Sequence, residues 1–235
     1  INRDVLLTRG VAPDDVRILP AAATTTFDEA QALAAFLADT RARVSAATAR
    51  RYEFGIELFE ESMDGYGLLD VRDDPRLFCD ATGPGRIPGE VDEFFSWYLV
   101  RKVSAPMDDL KACGTAVKQL AMWLGERGHL DQEAAKSMKA AAAQGARAFA
   151  RSQELREVLE ELAQVHTDEE TEEGHFDIKR VEDGALIVSP MHGGQLRLVL
   201  PEWALELCEA GWTFSGVVGQ QGDDWELVEI WNVYP

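Results

Sequence analysis

The spacing of apolar residues changes once along this chain, and the change limits the folds available to it. Up to about residue 165, apolar side chains recur every three or four positions, as on one face of an α-helix. One such stripe comprises Leu110, Cys113, Val117, Leu120 and Leu124. From about residue 175 the period is two, as in a half-buried β-strand. The sequence therefore predicts an α+β protein, with an all-helical domain followed by a β domain.

An acidic run separates the two patterns. Residues 168–174 read DEETEEG and contain no apolar side chain, which is typical of a solvated linker. We therefore predict an irregular lead-in at 1–26, a helical domain at 27–165, an acidic linker at 166–174 and a β domain at 175–235. Three Pro and three Gly predict a loop at 68–90 within the helical domain.

Capping residues indicate where the helices begin and end. Short polar side chains accept hydrogen bonds from the unpaired amides of a first turn, and Gly adopts the left-handed conformation that ends a helix. The expected N-terminal caps are Ser45, Ser104, Asp131 and Ser152, and the expected ends are Gly67 and Gly128.

The β domain is expected to hold five strands. Turns are predicted at Asp183-Gly184, Gly193-Gly194 and Gly222-Asp223. Between the third and fourth strands, residues 201–211 begin with Pro and end with Gly, which predicts one to three helical turns. This order is that of a small OB-type barrel. An SH3-like barrel is the alternative, because the connecting helix can shrink to a single turn.

One pattern occurs twice in the helical part. Residues 36–67 and 94–128 each run from an apolar helix through a basic residue to Val-Ser-Ala, then through a second amphipathic helix to Gly. The triplets begin at Val44 and Val103, which are 59 residues apart, whereas Gly67 and Gly128 are 61 apart. This internal repeat indicates a duplicated helical hairpin with a two-residue insertion.

Two sets of residues in these copies match a known pattern. The first copy contributes Ser45, Thr48, Tyr52, Phe59 and Gly67, and the second contributes Ser104, Leu120, Trp123-Leu124 and Gly128. Each copy resembles the SAM-like core-binding domain of tyrosine recombinases and phage integrases, and the resemblance covers about 70 of the 235 residues in total. The second copy departs from that family at Met107 and Lys111, where Thr and Tyr are expected. The resemblance implies a helical fold but no recombinase activity, since no segment here matches the family's catalytic domain.

The charge of the chain is strongly acidic. The formal net charge is −19, which disfavours non-specific binding of nucleic acid by the whole surface, although residues 101–150 carry +3. No apolar run reaches the roughly 18 to 20 residues that span a bilayer, so we expect no membrane protein. Three Cys without a CxxC pair predict neither a disulfide framework nor a zinc ribbon, and they favour a cytoplasmic location.

Basic residues surround both Val-Ser-Ala triplets. If the recombinase-like role is kept, they are candidates for phosphate or DNA contacts, each adding salt-dependent affinity. These candidates are Arg43, Arg50, Arg51, Arg101, Lys102 and Lys111. Acidic residues, Glu53, Glu57, Asp108 and Asp109, are interleaved with them at helical spacing. The pattern therefore favours a solvated, ion-paired face over a phosphate site.

Aromatic residues are concentrated in the β domain, which contains four of the six Trp. These four, Trp203, Trp212, Trp225 and Trp231, are candidate interaction residues, because OB surfaces stack bases on aromatic rings. Base stacking also needs a positive groove, and residues 175–235 carry −7. Core packing, or an interface with a protein or a helix, is the favoured interpretation.

No metal or catalytic motif stands out. His166, Asp168, Glu170 and His175 surround the acidic run, but a Glu-rich linker does not fix ligands in place, so we predict no metal site and no cofactor. Cys79, Cys113 and Cys208 are best interpreted as small apolar residues. The chain contains no GK[ST], HExxH or GxSxG motif.

These observations predict a non-enzymatic, cytoplasmic binding or adaptor protein that acts through protein contacts. An acidic surface suits basic partners. One alternative is a nucleic-acid-associated accessory protein that uses the basic ends of the two helical hairpins. Another is a hydrolase with a carboxylate site assembled from scattered residues. The oligomeric state does not follow from the sequence.

Overall fold

The computed structural model of this protein describes residues 26–65, 85, 87–163 and 170–235. Helices come first and five strands follow, which confirms the predicted α+β class. The chain forms two compact units. Of the described residues, the first unit comprises those up to 91 together with 112–141, and the second comprises those of 92–111 and 142–235. The expected lead-in at 1–26 lies outside the described residues except for Thr26, where the first helix begins.

The first unit begins with two helices that pack against each other, α1 (Thr26–Arg41) and α2 (Ala46–Gly65). The predicted cap of α2 is confirmed, because the backbone N–H of Thr48 donates to Ser45 Oγ over 3.2 Å. The predicted helix end at Gly67 lies outside the described part of the chain.

The next helical segment, α3 (87–102), is irregular. It comprises a 3-10 turn at Ile87–Glu90, an α-helical turn at Val91–Glu93, a π-helical stretch at Phe94–Tyr98 and a last turn at Leu99–Lys102. The predicted loop at 68–90 is therefore wrong at Ile87–Glu90, because Ile87 is buried and ordered into the start of this helix. The part of that loop at 68–84 is not described.

Two long helices follow, α4 (Met107–Glu126) and α5 (Gln132–Leu162). The predicted cap at Asp131 is confirmed, since its Oδ1 accepts from the backbone N–H of Ala134 over 2.7 Å. The end of α4 at Gly128 is also confirmed. Gly128 has a φ of 74°, and the backbone N–H of His129 donates to the Leu124 carbonyl over 2.9 Å.

Two predicted caps are wrong. Ser104 lies three residues before α4, whose first turn is instead bonded to the carbonyl of Pro106, a residue that suits a helix start. Ser152 lies inside α5, is buried and donates its hydroxyl to the Phe149 carbonyl over 2.8 Å. Because α5 is rich in Ala, Glu, Arg and Lys, nothing in it favours a break at Ser152.

Five strands form a closed barrel in the second unit, in the order β1-β2-β3-β5-β4. They are β1 (Thr171–Glu182), β2 (Ala185–Pro190), β3 (Leu196–Val199), β4 (Thr213–Gln221) and β5 (Asp224–Tyr234). β1 pairs antiparallel with both β2 and β4, and β3 meets β5 in parallel. This is the OB-type order rather than the SH3-like alternative, although α6 (Glu202–Leu205) is a single turn.

The barrel core includes the second half of α5. Leu155 and Leu159 are fully buried in the same apolar cluster as Phe176, Val188 and Phe214. The predicted domain boundary at 165 is therefore displaced toward the amino terminus, because residues 142–162 fold with the barrel.

The acidic linker is shorter than predicted. β1 begins at Thr171, so residues 171–174 are strand and not linker. Glu172 is half-buried opposite Val218, and Gly174 lies opposite Gly216. Pairing with β4 satisfies the backbone of this segment although it has no apolar side chain. Residues 164–169 are not described.

Candidate functional site

A cavity of about 290 Å³ lies in the first unit, lined by residues of α1, α2, α4 and the turn after α1. We call it the Trp123 pocket. Its apolar wall is formed by Phe36, Val44, Met122 and the ring of Trp123. On α4, Met122 is exposed and Trp123 is buried, so this side of the wall runs from the surface toward the core.

The polar side of the Trp123 pocket is built around the Asp39 carboxylate. The indole Nε1–H of Trp123 donates to Asp39 Oδ2 over 2.9 Å, and the Arg127 guanidinium donates to the same oxygen. Within the described part of the chain, Asp39 Oδ1 accepts no hydrogen bond. The Trp123 hydrogen bond, with Arg127 and Arg43 nearby, holds the pKa of Asp39 below its ordinary value of 3.8.

Trp123 is held in place on several sides. The Phe36 ring meets it edge-on with centroids 6.0 Å apart, and His129 stacks on it at 5.5 Å. The Arg127 guanidinium lies 5.5 Å from the ring centroid, in a cation–π arrangement. A fixed ring and an oriented carboxylate make a preformed site, which is what binding with little ordering cost needs.

The six predicted phosphate contacts are divided between the two units. Arg43, Arg50 and Arg51 lie in the first unit, and Arg43 lines the Trp123 pocket. Arg101, Lys102 and Lys111 lie in the second. The expected interleaving with acidic groups is seen where Arg41 pairs with Glu53.

A second aromatic cluster lies in the second unit, where α3 contacts β5. The Arg101 guanidinium and the Lys102 Nζ lie 5.6 and 6.0 Å from the centroid of the Trp97 ring. Arg101 Nη1 also donates to the Tyr234 hydroxyl over 3.4 Å, and Tyr234 lies against His175 with centroids 5.8 Å apart. This cluster joins two predicted phosphate contacts to the last strand of the barrel.

Two of the four Trp of the barrel domain belong to its core and two are exposed. Trp212 is buried in the core and Trp225 packs against it, as the core interpretation predicts. Trp203 and Trp231 are 53% and 38% exposed, so they are not core residues. Their exposure keeps them available for an interface.

Of the four groups considered for metal binding, only Glu170 and His175 lie in the described part of the chain. Among the residues that the structure describes, no group of three or more His, Cys, Asp and Glu is arranged to hold a metal ion. His166 and Asp168 are not described, and His175 contacts Tyr234. His192 Nε2 lies 3.1 Å from Glu172 Oε1, without the alignment of a hydrogen bond.

The two described cysteines, Cys113 and Cys208, are free and buried, and Cys79 lies outside the described ranges. Burial raises the pKa of the Cys208 thiol to about 12, which makes it a poor nucleophile at neutral pH. None of the described helices has the length and apolar character needed to cross a membrane.

Comparison with known proteins adds nothing to this geometry. No family model, curated protein or solved structure matches the chain.

Sequence reasoning did not find the Trp123 pocket. It treated Trp123 as part of a helical repeat and did not single out Asp39. The available signal was a Trp next to the buried stripe of α4, since a Trp at that position needs a partner for its N–H. The identity of that partner depends on how α1 packs, which the periodicity does not give.

Proposed function

We propose that this protein is a non-enzymatic binding or adaptor protein, that it acts through protein contacts, and that the Trp123 pocket is a docking site. The proposal is supported above all by the pocket itself, which combines an apolar wall with an oriented carboxylate. Such a combination of apolar area with a few convergent polar groups is typical of binding sites. Among the described residues that line it there is no pair of a nucleophile and a base, so the geometry favours binding over catalysis.

The proposal includes a cytoplasmic location. Support comes from the three Cys without a CxxC pair and from the two described thiols, which are free. The net charge of −19 supports basic partners over acidic ones.

The test is affinity capture from a native lysate with the full chain as bait. Gln119 is exposed and lines the Trp123 pocket, so Gln119→Trp fills the pocket from its edge. Gln144→Trp is the matched control at an exposed position on α5. We expect a protein that is captured by the wild type and the control, resists nuclease, and is lost with Gln119→Trp. That protein, identified by mass spectrometry and purified, should then bind the wild type directly. Capture that is unchanged by Gln119→Trp contradicts the proposed docking site.

A second candidate function, a nucleic-acid-associated accessory protein, is supported by the placement of Arg101 and Lys102 over Trp97. Cations beside an aromatic ring at the end of an OB-type barrel are the elements of a single-strand binding surface. A titration of labelled duplex and single strands at about 0.15 M salt, where the screening length is about 8 Å, separates the two candidates. The protein-contact proposal expects no measurable affinity. Micromolar binding that weakens steeply with salt, and that is lost with Arg101→Gln but kept with Lys139→Gln, would place this candidate first.

A further inference from the structure

We propose that the Trp123 pocket receives a Lys or Arg side chain of the partner protein, with its alkyl stem on the apolar wall and its terminal N–H at Asp39 Oδ1. This inference rests on the proposed function and adds the chemistry of the partner. It follows from three features: the carboxylate oxygen that accepts no hydrogen bond from the described residues, the size and lining of the cavity, and the acidic charge of the whole chain.

The Asp39 carboxylate is oriented for a further donor. Both of its hydrogen bonds, from Trp123 and Arg127, are made to Oδ2. The side chain is 33% exposed, so solvent or a ligand reaches it. An ionised carboxylate accepts strongly from guanidinium and ammonium groups, and such charge-assisted bonds are about twice as strong as neutral ones. A donor at Oδ1 completes the carboxylate without displacing either protein partner.

The size of the pocket fits one long side chain. About 290 Å³ is at the lower end of ligand cavities, so the pocket takes a side chain rather than a whole peptide segment. Lys and Arg carry three or four methylene groups before the charge, and these pack on apolar surfaces while the charged end stays polar. Phe36, Val44 and Met122 supply the apolar surface.

The acidic charge of the chain favours a cation. Around the pocket itself the charges balance: Asp39 and Glu126 line it together with Arg43, and Arg127 pairs with Asp39. The −19 charge of the whole chain attracts cations toward the surface. Arg43 acts against a cationic ligand, because it repels a second positive charge. Its removal therefore tests the sign of the ligand.

The experiment uses the indole N–H signal of Trp123 in a ¹H–¹⁵N NMR spectrum of the full chain, assigned by its loss in Trp123→Phe. The probes are four acetylated and amidated tripeptides with Ala at both ends and Arg, Lys, norleucine or Glu in the middle. We expect the Arg and Lys peptides to shift the Trp123 signal in a saturable way. Norleucine has a similar alkyl stem without charge, and we expect it and Glu to produce little shift.

Two variants and one control define the contact. Asp39→Asn keeps an acceptor for Trp123 but loses the charge. It should lower the affinity for the Arg peptide by about tenfold, the difference between a charge-assisted and a neutral hydrogen bond. Arg43→Gln, at an exposed residue, should raise the affinity for the Arg peptide. Glu57→Gln, an exposed carboxylate on α2 that does not line the pocket, should leave affinity within about twofold, since exposed charges contribute little.

Several results would overturn this inference. They are equal shifts by the norleucine and Arg peptides, a preference for Glu, weaker Arg binding in Arg43→Gln, or no shift with any peptide. The outcome of the capture experiment is independent of these peptide results. A partner that depends on the pocket but shows no preference for cations refutes the inference and leaves the proposed function standing. If the pocket binds Arg peptides but no protein is captured, the proposed function is refuted and the preference of the pocket for cations stands.

Discussion

Trp123 Nε1 and Asp39 Oδ2 lie 2.9 Å apart, although 84 residues separate them in the chain. This hydrogen bond connects α1 to the end of α4 and fixes both the ring and the carboxylate of the Trp123 pocket. It also links the charge of Asp39 to the stability of the first unit.

The first prediction concerns acid stability. Because the pKa of Asp39 is lowered in the folded protein, its ionised form stabilises the fold above the ordinary value of 3.8, and this contribution is lost as pH falls through the lower folded value. Wild type should therefore be more stable than Asp39→Asn at neutral pH, and the difference should shrink as the pH falls well below 3.8. Urea unfolding at a series of pH values measures it. Glu57→Gln is the control, because it reports the general effect of removing one negative charge. A difference in stability between the wild type and Asp39→Asn that stays constant with pH contradicts the prediction.

The second prediction concerns the packing of α2 on α4. A methyl group at Gly55 would lie 2.9 Å from the Cα of Cys113, and backbone does not move aside cheaply. Gly55→Ala should therefore destabilise the protein, since overpacking costs about 1–3 kcal/mol and the gain in helix propensity is only about 1 kcal/mol. Gly89→Ala, where nothing lies within 4 Å, is the control. Thermal unfolding that shows Gly55→Ala to be as stable as that control would refute the close approach.

The third prediction concerns the barrel core. Leu159 is fully buried among barrel residues although it belongs to α5. Leu159→Ala should lower the free energy of unfolding by about 2–5 kcal/mol, as for other buried leucines. Glu157→Ala, at an exposed position on the same helix, should change it by no more than about 0.5 kcal/mol. A small effect of Leu159→Ala would mean that the barrel closes without the helix.

The fourth prediction concerns thiol reactivity. Burial raises the pKa of Cys208 to about 12, and its Sγ lies 3.5 Å from the Ala204 carbonyl. In the native protein at neutral pH, iodoacetamide should leave Cys208 unmodified, and the same residue should react after unfolding in urea. Peptide mass spectrometry after a short exposure measures the modified fraction. Rapid modification of the native protein would show that the α6 region opens.

The sequence predicted the parts of the fold that depend on local pattern. The helices of the first unit, the five strands and the turns at Gly184, Gly194 and Gly222 follow from periodicity and from residues that adopt positive φ. It did not predict what depends on distant packing. Leu155 and Leu159 belong to an ordinary helical stripe, and nothing in that stripe tells whether a helix or a barrel covers it.

The same limit explains the errors at the acidic run and at the pocket. Composition indicated a solvated linker up to residue 174, but a strand also forms from polar residues when a neighbouring strand pairs with its backbone. For the pocket, the sequence marked Arg43 as a phosphate contact because of its charge. Its placement beside Asp39 and Trp123 depends on the turn between α1 and α2, which brings it to the pocket.

The boundaries between the two units fall inside α3, α4 and α5, at residues 91/92, 111/112 and 141/142. Units joined by loops can be exchanged between genes as separate cassettes. Here any such exchange would have to cut a helix. A protein that acquired only the barrel strands would therefore have to replace Leu155 and Leu159, which fill the barrel core from α5, from another source.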